Sequence, residues 1–233
     1  MLIEATQRLW EIFKEKPELN GFVLIGGSAL ALQIHHRRSE DLDFAWPYGK
    51  LPREALDNLI RSTPSLQFIL DQNEAAEREA EDCNLDLADH SQNYLVDGVR
   101  VTFFKSPDAE SRLLRGSESD QVHVAKVPEI FALKALASAD RSKSRDWFDL
   151  YTLFRSHGYT WAQFYAVFAE YSNDGQYKNA AGRLCSGIPQ KDDEGYKTLV
   201  ENPPQPEEIR DYFIARRNEF EKDLVHEGPQ PDI

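Results

Sequence analysis

Residues 22–44 read FVLIGGSALALQIHHRRSEDLDF, and the fold prediction depends on this stretch. The first four residues, 22–25, are apolar and rich in strand formers, and two glycines end the run. A short apolar run that stops at glycine is typical of a buried strand. Residues 28–36 then favour a helix, and residues 41–45 favour a second strand. We therefore expect a strand, a tight turn, a short helix and a second strand in immediate succession.

The turn between the first strand and the helix has the composition of a phosphate-binding site. Gly26 and Gly27 can adopt backbone angles closed to other residues and let a ligand approach the main chain. Ser28 is a natural N-cap for the helix, and its hydroxyl is placed to contact phosphate oxygens. Free N–H groups at the start of a helix favour anions. We therefore predict that Gly26, Gly27 and Ser28 cradle the phosphates of a ligand.

The second strand of this stretch contains two acids, Asp41 and Asp43, that alternate with the apolar residues Leu42 and Phe44. Because side chains alternate across a strand, both carboxylates share one face while the apolar side chains enter the core. The two Cα atoms are roughly 6.6 Å apart, so the carboxylates can converge on one or two hard cations such as Mg²⁺ or Mn²⁺. An isolated Asp-x-Asp is most simply a pair of solvated acids, but its place after the glycine turn favours a metal site.

A second block of charged residues lies in the helical pattern that begins at Pro128. Lys134 falls within the apolar stripe of this helix, where a lysine whose stem covers apolar surface is the simplest interpretation. Another helix is predicted over residues 144–156. On that helix, Arg145 and Asp149 have the spacing of an (i, i+4) ion pair.

These two blocks resemble the signature of the nucleotidyltransferase (polymerase β-like) superfamily and, more narrowly, that of the AbiEii toxin family. The likeness covers roughly residues 20–155 and is carried by Gly26-Gly27-Ser28, Arg38-Ser39, Asp41-Leu42-Asp43-Phe44, Lys134, Arg141 and residues 145–151. It implies an α+β fold, in which a mixed β-sheet with flanking helices is followed by a mainly helical C-terminal region.

The resemblance also implies a reaction and the residues that perform it. The reaction is the Mg²⁺-dependent transfer of a nucleoside monophosphate from an NTP to a hydroxyl acceptor, with release of pyrophosphate. The implied catalytic residues are Asp41 and Asp43, which also hold the metal, and Lys134 and Asp146. Lys134 would reach the triphosphate. The implied nucleotide-binding residues are Gly26, Gly27, Ser28, Arg38, Ser39, Arg141 and Arg145.

By the same likeness, the chain is expected to be the toxin of a toxin–antitoxin or phage-defence pair, with tRNA 3′ ends as the acceptor and an antitoxin protein as partner. One alternative keeps the chemistry but changes the acceptor to a cationic small molecule or a protein hydroxyl, which the net charge of −13 favours. Another alternative is a non-catalytic nucleotide-binding or partner-binding protein on the same scaffold.

A departure from the superfamily pattern supports the non-catalytic alternative. Many members place a third carboxylate on a later strand, and here that strand, residues 99–104, reads VRVTFF. Thr102 or Arg100 stands where an acid is expected, and Asp86 is a possible substitute on a neighbouring strand. The dipeptide Asp97-Gly98 before the strand is a strong hairpin signal.

Composition restricts the class of protein further. Net charge of −13 and a pI near 4.9 argue against a broad nucleic-acid surface. The longest apolar stretch, residues 22–34, is too short to cross a bilayer, so no membrane association is expected. The start of the chain lacks a basic segment, and the two cysteines lie far apart, so we predict a cytoplasmic protein with reduced thiols.

The predicted organisation is a nucleotidyltransferase-like domain over residues 1–125, a helical region over 126–227 that completes the active-site cleft, and a disordered tail over 228–233. Outside the quoted stretch, helices are expected near residues 3–15, 52–61, 159–171 and 207–224, and strands near 66–70, 84–88, 93–96 and 99–104.

Overall fold

The computed structural model describes residues 1–71, 86–115 and 122–226, with the side chains of residues 225 and 226 excepted. The chain divides into two compact units, residues 1–130 and 131–233. The predicted tail at 228–233 lies outside the described residues. So do the first two residues of the strand expected at 84–88.

The first unit contains the whole of the described β-structure. Its helices are α1 (Glu4–Phe13), α2 (Gly26–Ile34), α3 (Arg53–Ser62), α4 (Asp108–Leu114) and the start of α5 (Val127–Asp140). Its strands are β1 (Val23–Ile25), β2 (Leu42–Trp46), β3 (Phe68–Leu70), β4 (Ser91–Val96), β5 (Val99–Lys105) and β6 (His123–Val124).

The six strands form one mixed sheet in the order β3-β4-β5-β2-β1-β6. Strand β1 is antiparallel to β2 and parallel to β6, while β2 is parallel to β5. The register places Ile25 beside Asp43 on one side of β2 and Thr102 beside Asp43 on the other. The predicted mixed sheet with flanking helices is confirmed, and its centre holds the second acid of the Asp-x-Asp pair.

Alternation along β2 separates its apolar side chains from its acids. Leu42 and Phe44 are fully buried, and the Phe44 ring stacks on Phe103 of β5 at 5.2 Å between centroids. Because successive side chains of a strand point to opposite faces, the half-buried Asp43 lies on the other face of the sheet. The aromatic core under β2 therefore fixes the register that presents the acid.

The predicted hairpin at Asp97-Gly98 joins β4 to β5. Both residues have positive φ, +48° and +83°, as a two-residue type I′ turn requires. The strand expected at 84–88 is wrong where the structure describes it, because residues 87–89 form a 3₁₀ turn. Asp86 caps this turn by accepting a hydrogen bond from the Ala88 N–H, and it also pairs with Arg53.

The second unit is helical in its described part. After the remainder of α5 it contains α6 (Ser144–His157), α7 (Trp161–Tyr171), α8 (Asp174–Ser186) and α9 (Pro206–His226). Aromatic rings from three helices meet in its core, where Phe154 contacts Trp161 and Phe213.

Among the described residues, no helix has the length and apolarity needed to cross a membrane. Helices α4 and α8 and strand β6 had no prediction of their own.

Candidate active site

Helix α2 begins two residues earlier than the sequence predicted. Its first residues are Gly26 and Gly27, with Ile25 at the N-cap position, and Ser28 lies within the first turn. The predicted N-cap role of Ser28 is therefore wrong. The physical reason is that Gly26 takes a φ of +73°, which lets the backbone turn directly from β1 into the helix without a side-chain cap.

The space beside Gly26 is filled by the second acid of the Asp-x-Asp pair. A Cβ at Gly26 would lie 2.9 Å from Asp43 Oδ2, closer than real side chains approach. The missing side chain thus lets the Asp43 carboxylate rest against the first turn of α2. This contact puts a carboxylate directly beside the amide end of a helix, which carries roughly half a positive charge.

Gly27 makes the corresponding space for a cation, Arg37. A Cβ at Gly27 would overlap the Arg37 guanidinium and lie 3.2 Å from Ser39 Oγ. Arg37 is only 6% exposed, and its Nη1 donates to the Arg38 carbonyl at 3.0 Å. Arg38, the arginine that sequence reasoning selected, is exposed. The buried arginine at this turn is its neighbour.

Ser28 is buried and holds the segment before β2. Its hydroxyl donates to the Asp41 carbonyl and lies 3.0 Å from the Ser39 hydroxyl, which is itself buried. The two serines therefore link the first turn of α2 to the chain that leads into β2. Each residue of the Gly-Gly-Ser motif therefore contacts the segment that bears the acids.

The donor set around Asp41 and Asp43 is suited to Mg²⁺. Both acids are half-buried. Asp43 lies on the face of β2 opposite its core residues, and Asp41 lies one residue before the start of β2 at Leu42. Within the described ranges, no cluster of three or more His, Cys, Asp or Glu side chains could hold a metal. Mg²⁺ commonly takes one or two carboxylates and completes its octahedron with water and substrate phosphates. Asp43, whose carboxylate lies against the first turn of α2, and the nearby Asp41 fit that requirement.

The structure places the two residues that stand where the superfamily pattern leads us to expect a third acid. Thr102 is the register partner of Asp43 on β5, whereas Arg100 lies two residues earlier on the same strand. Thr102 is half-buried, as Asp43 is. Of the two residues left open by the sequence, Thr102 is therefore the one that lies beside Asp43. Asp86 is held in a turn by Arg53 and Ala88.

The second unit contains a buried network of opposite charges. Lys134 of α5 pairs with Asp146 and, at 2.8 Å from Nζ to Oδ2, with Asp149 of α6. Arg141 reaches the other oxygen of Asp146 at 2.8 Å. The Lys134 side chain is 7% exposed, so the interpretation of a lysine that covers apolar surface and extends to solvent is wrong. Its amine lies between two carboxylates.

The network controls the ionisation of Asp146. Burial opposes the charged form of this carboxyl, but the neighbouring charges of Lys134 and Arg141 outweigh burial and hold its pKa below the ordinary value. Asp146 is therefore an anion at neutral pH. A carboxylate already bonded to two cations is a rigid element that fixes the position of the lysine amine.

Arg145 is directed to a different part of the second unit. Its Nε donates to the Gly195 carbonyl at 2.8 Å, and its Nη1 lies 3.1 Å from a carboxylate oxygen of Glu194. These contacts tie the start of α6 to the segment after α8. The spacing of Arg145 from Asp149 did not predict them.

The predicted site residues thus fall into two groups, each gathered within its own unit. Gly26, Gly27, Ser28, Ser39 and Asp43 are brought together in the first unit. Lys134, Arg141 and Asp146 are brought together in the second.

Sequence reasoning missed Arg37 and the pairing of Asp149 with Lys134. A signal for Arg37 was present, because Arg37, Ser39, Asp41 and Asp43 alternate with period two.

Comparison with known proteins gives one family. A sequence model of the family described as "Nucleotidyl transferase AbiEii toxin, Type IV TA system" matches residues 8–232. A protein of Aquifex aeolicus that is described as uncharacterised is 26% identical over 144 residues. That match covers 60% of this chain and 61% of the relative, so the chain spans less than two thirds of the curated protein it matches.

Two solved structures from Helicobacter pylori are similar along 97% of both chains. A protein described as a candidate nucleotidyltransferase has a TM-score of 0.55 at 18% identity. JHP933 has a TM-score of 0.51 at 17% identity. At these identities the likeness shows the fold, and it confirms the predicted nucleotidyltransferase-like architecture.

Proposed function

Because this chain belongs to the AbiEii nucleotidyl transferase toxin family of type IV toxin–antitoxin systems, we propose that it transfers a nucleoside monophosphate from an NTP to a hydroxyl acceptor. Pyrophosphate is the other product. The oxygen of the acceptor forms a bond to the α-phosphorus while the bond from that phosphorus to the bridging oxygen breaks. The proton of the acceptor hydroxyl leaves with solvent.

One observation supports this proposal above the others, and it is the contact between Asp43 and Gly26. It puts an acid that can hold a cation next to the amide end of α2, where phosphate oxygens are favoured. A triphosphate with its divalent cation needs both partners at once. Either feature alone is common in proteins, but their contact through a glycine with positive φ is specific.

Asp41 and Asp43 are the residues that would hold Mg²⁺ or Mn²⁺. When bound, the cation neutralises phosphate charge and polarises the phosphorus for attack. The residues of the chain do the positioning. Gly26 makes room for the Asp43 carboxylate at the first turn of α2, and Ser28 fixes the backbone of Asp41. Positioning in this sense contributes much of the rate in phosphoryl-transfer enzymes.

The remaining predicted residues are included on family likeness alone. Lys134, Asp146, Arg141 and Arg145 are assigned to the same reaction, with Lys134 as the cation that offsets charge on the departing pyrophosphate. Arg38 and Ser39 are assigned to the nucleotide.

We propose tRNA 3′ ends as the acceptor, an antitoxin as the partner and the cytoplasm as the location. A second candidate acceptor, a cationic small molecule, is favoured by the net charge of −13. A protein hydroxyl is a further candidate acceptor. A protein that binds nucleotide without transfer would be consistent with Thr102 in the place of a third acid.

The test is a transfer assay with each labelled NTP in turn, in the presence of Mg²⁺ or Mn²⁺. Total tRNA, a protein extract and an aminoglycoside are offered separately as acceptors. We expect label on tRNA at its 3′ end. The Asp41→Asn, Asp43→Asn double variant should give none, whereas Asp57→Asn on the exposed face of α3 should behave as wild type.

Each other outcome identifies a different function. Label on the aminoglycoside or on protein, and not on tRNA, would identify a different acceptor for the same transfer reaction. Saturable NTP binding without transfer to any acceptor would identify a binding protein. Absence of NTP binding by the folded wild-type protein would refute the proposal.

A further inference from the structure

The first turn of α2 is in contact with a buried guanidinium that no family motif in the sequence analysis had selected. Arg37 lies against Gly27, so that a Cβ at Gly27 would overlap the guanidinium and approach its Cζ to 3.1 Å. Its Nη1 also donates to the Arg38 carbonyl. The side chain is therefore held at one place by packing and by a hydrogen bond.

This location is electrostatically costly for an arginine. The amide end of a helix carries partial positive charge, and a cation beside it is disfavoured. Burial of the cation adds a desolvation penalty. The Asp43 carboxylate, which lies against the adjacent residue Gly26, offers a compensating charge. The guanidinium and the amide end of α2 lie together at this turn, and each of them favours an anion such as phosphate.

We propose that Arg37 is a positioning residue for the NTP, which locks the Gly26-Gly27 turn so that its amides face the triphosphate. This inference rests on the proposed function. Arg37 acts through Gly27: its planar guanidinium fills the space above the glycine and sets the start of α2 against the segment that leads to the aspartates. Gly27 is a glycine because the guanidinium occupies that space.

A double-mutant cycle between Gly27 and Arg37 tests this contact in the full-length protein. Gly27→Ala should lower Tm by several degrees and raise the Kd for Mg²⁺-NTP at least tenfold, because the new methyl displaces the guanidinium. In the Arg37→Ala background the same change should leave Tm unchanged or raise it. Alanine is the better helix former there, and removal of Arg37 takes away the two atoms nearest to the new methyl.

The side chain itself is tested by two further variants. Arg37→Ala should raise the Kd for ATP, GTP, CTP or UTP at least tenfold, and Arg37→Lys should not restore it, because an ammonium lacks the flat fork that packs on glycine. Arg8→Ala is the matched control: this arginine of the same unit is 72% exposed, and its loss should leave Kd and Tm unchanged.

Two results would overturn the inference while the proposed function stands. One is additive effects of Gly27→Ala and Arg37→Ala on Tm and Kd. The other is wild-type NTP affinity in Arg37→Ala, above all if Arg38→Ala weakens binding. If the wild-type protein binds no NTP, the proposed function itself fails and the positioning role fails with it, although coupling between the two residues in Tm would still be measured.

Discussion

The two acidic pairs of this chain, Asp41 with Asp43 and Asp146 with Asp149, have opposite surroundings. The first pair lies two residues apart, with Asp43 in β2 and Asp41 just before it, and both acids are half-buried. The Asp43 carboxylate lies beside the amide end of α2. The second pair lies three residues apart on a helix and is buried against Lys134. The spacing of the second pair puts its two carboxylates on one face of α6, where both reach Lys134.

The two surroundings give aspartate two different roles, one in ligand binding and one in internal ion pairing. Carboxylates that keep solvent access beside a positive helix end can take up a cation and a phosphate. Carboxylates that are buried with a lysine and an arginine have their charge neutralised within the protein. We therefore expect substitutions in the first pair to lower activity with little effect on stability. Substitutions in the second pair should lower stability in addition to activity.

The largest expected effect is on activity at the first pair. Asp41→Asn or Asp43→Asn should lower the rate of nucleotide transfer roughly 1000-fold or more, which corresponds to about 4 kcal/mol, because the metal loses a carboxylate ligand. Tm should change little, since both residues are half-exposed. Initial rates and thermal unfolding are measured on the same samples. A Tm loss as large as that of the second-pair variants would break the comparison.

A large effect on stability is expected at the second pair. Lys134→Met should lower the free energy of unfolding by about 3 kcal/mol, because it leaves two buried carboxylates with one cation fewer. Chemical denaturation measures the change. Lys178→Met is the matched control: this lysine forms a pair with Asp174 on the surface of the same unit and is 73% exposed, so its loss should cost less than about 0.5 kcal/mol.

The pH dependence of stability sharpens the comparison. The folded-state pKa of Asp146 lies below its ordinary value of 3.8, so the ionised carboxylate stabilises the fold fully above that pH and loses this contribution as pH falls through the lower pKa. The Tm difference between wild type and Asp146→Asn should therefore be constant near neutral pH and narrow as pH falls below about 4. A difference that stays constant to pH 3 would contradict the assigned ion pairs.

The smallest effect is expected from restoring a third acid. Thr102→Asp places a carboxylate beside Asp43, and without metal it should lower stability by about 0.2–1 kcal/mol through repulsion between neighbouring strands. Added Mg²⁺ should then raise its Tm more than it raises that of wild type. Thr102→Asn is the control, because asparagine has the shape of aspartate without its charge. Equal Mg²⁺ responses in both variants would show that Thr102 does not border the metal site.

Much of the first unit followed from local pattern. The glycine-ended apolar run, the Asp97-Gly98 turn and the alternation of Leu42 and Phe44 with acids each report on a few adjacent residues. The expected strand at 84–88 failed at residues 87–89, since Asp86 forms a cap and an ion pair with a distant arginine. Such a partner has no local signature.

The candidate site was predicted less completely than the fold. Ser28 reads as an N-cap, but its hydroxyl is used inside the protein, because a glycine with positive φ starts the helix two residues earlier. Arg38 matches the family signature, but Arg37 is the arginine that packs on Gly27. Arg37 is buried and Arg38 is exposed, so a one-residue ambiguity in the sequence changes which arginine is assigned to the site.

The sequence by itself determined the succession of strand, glycine turn, helix and acidic strand, because backbone periodicity is a local property. Only the tertiary structure decided which cation neutralises which acid. Lys134 and Asp146 lie on different helices. Gly26 follows β1 and contacts Asp43 on the neighbouring strand β2. Those contacts depend on how helices and strands pack. The free-energy cost of burying a charged side chain is set by the groups packed around it more than by its neighbours in the sequence.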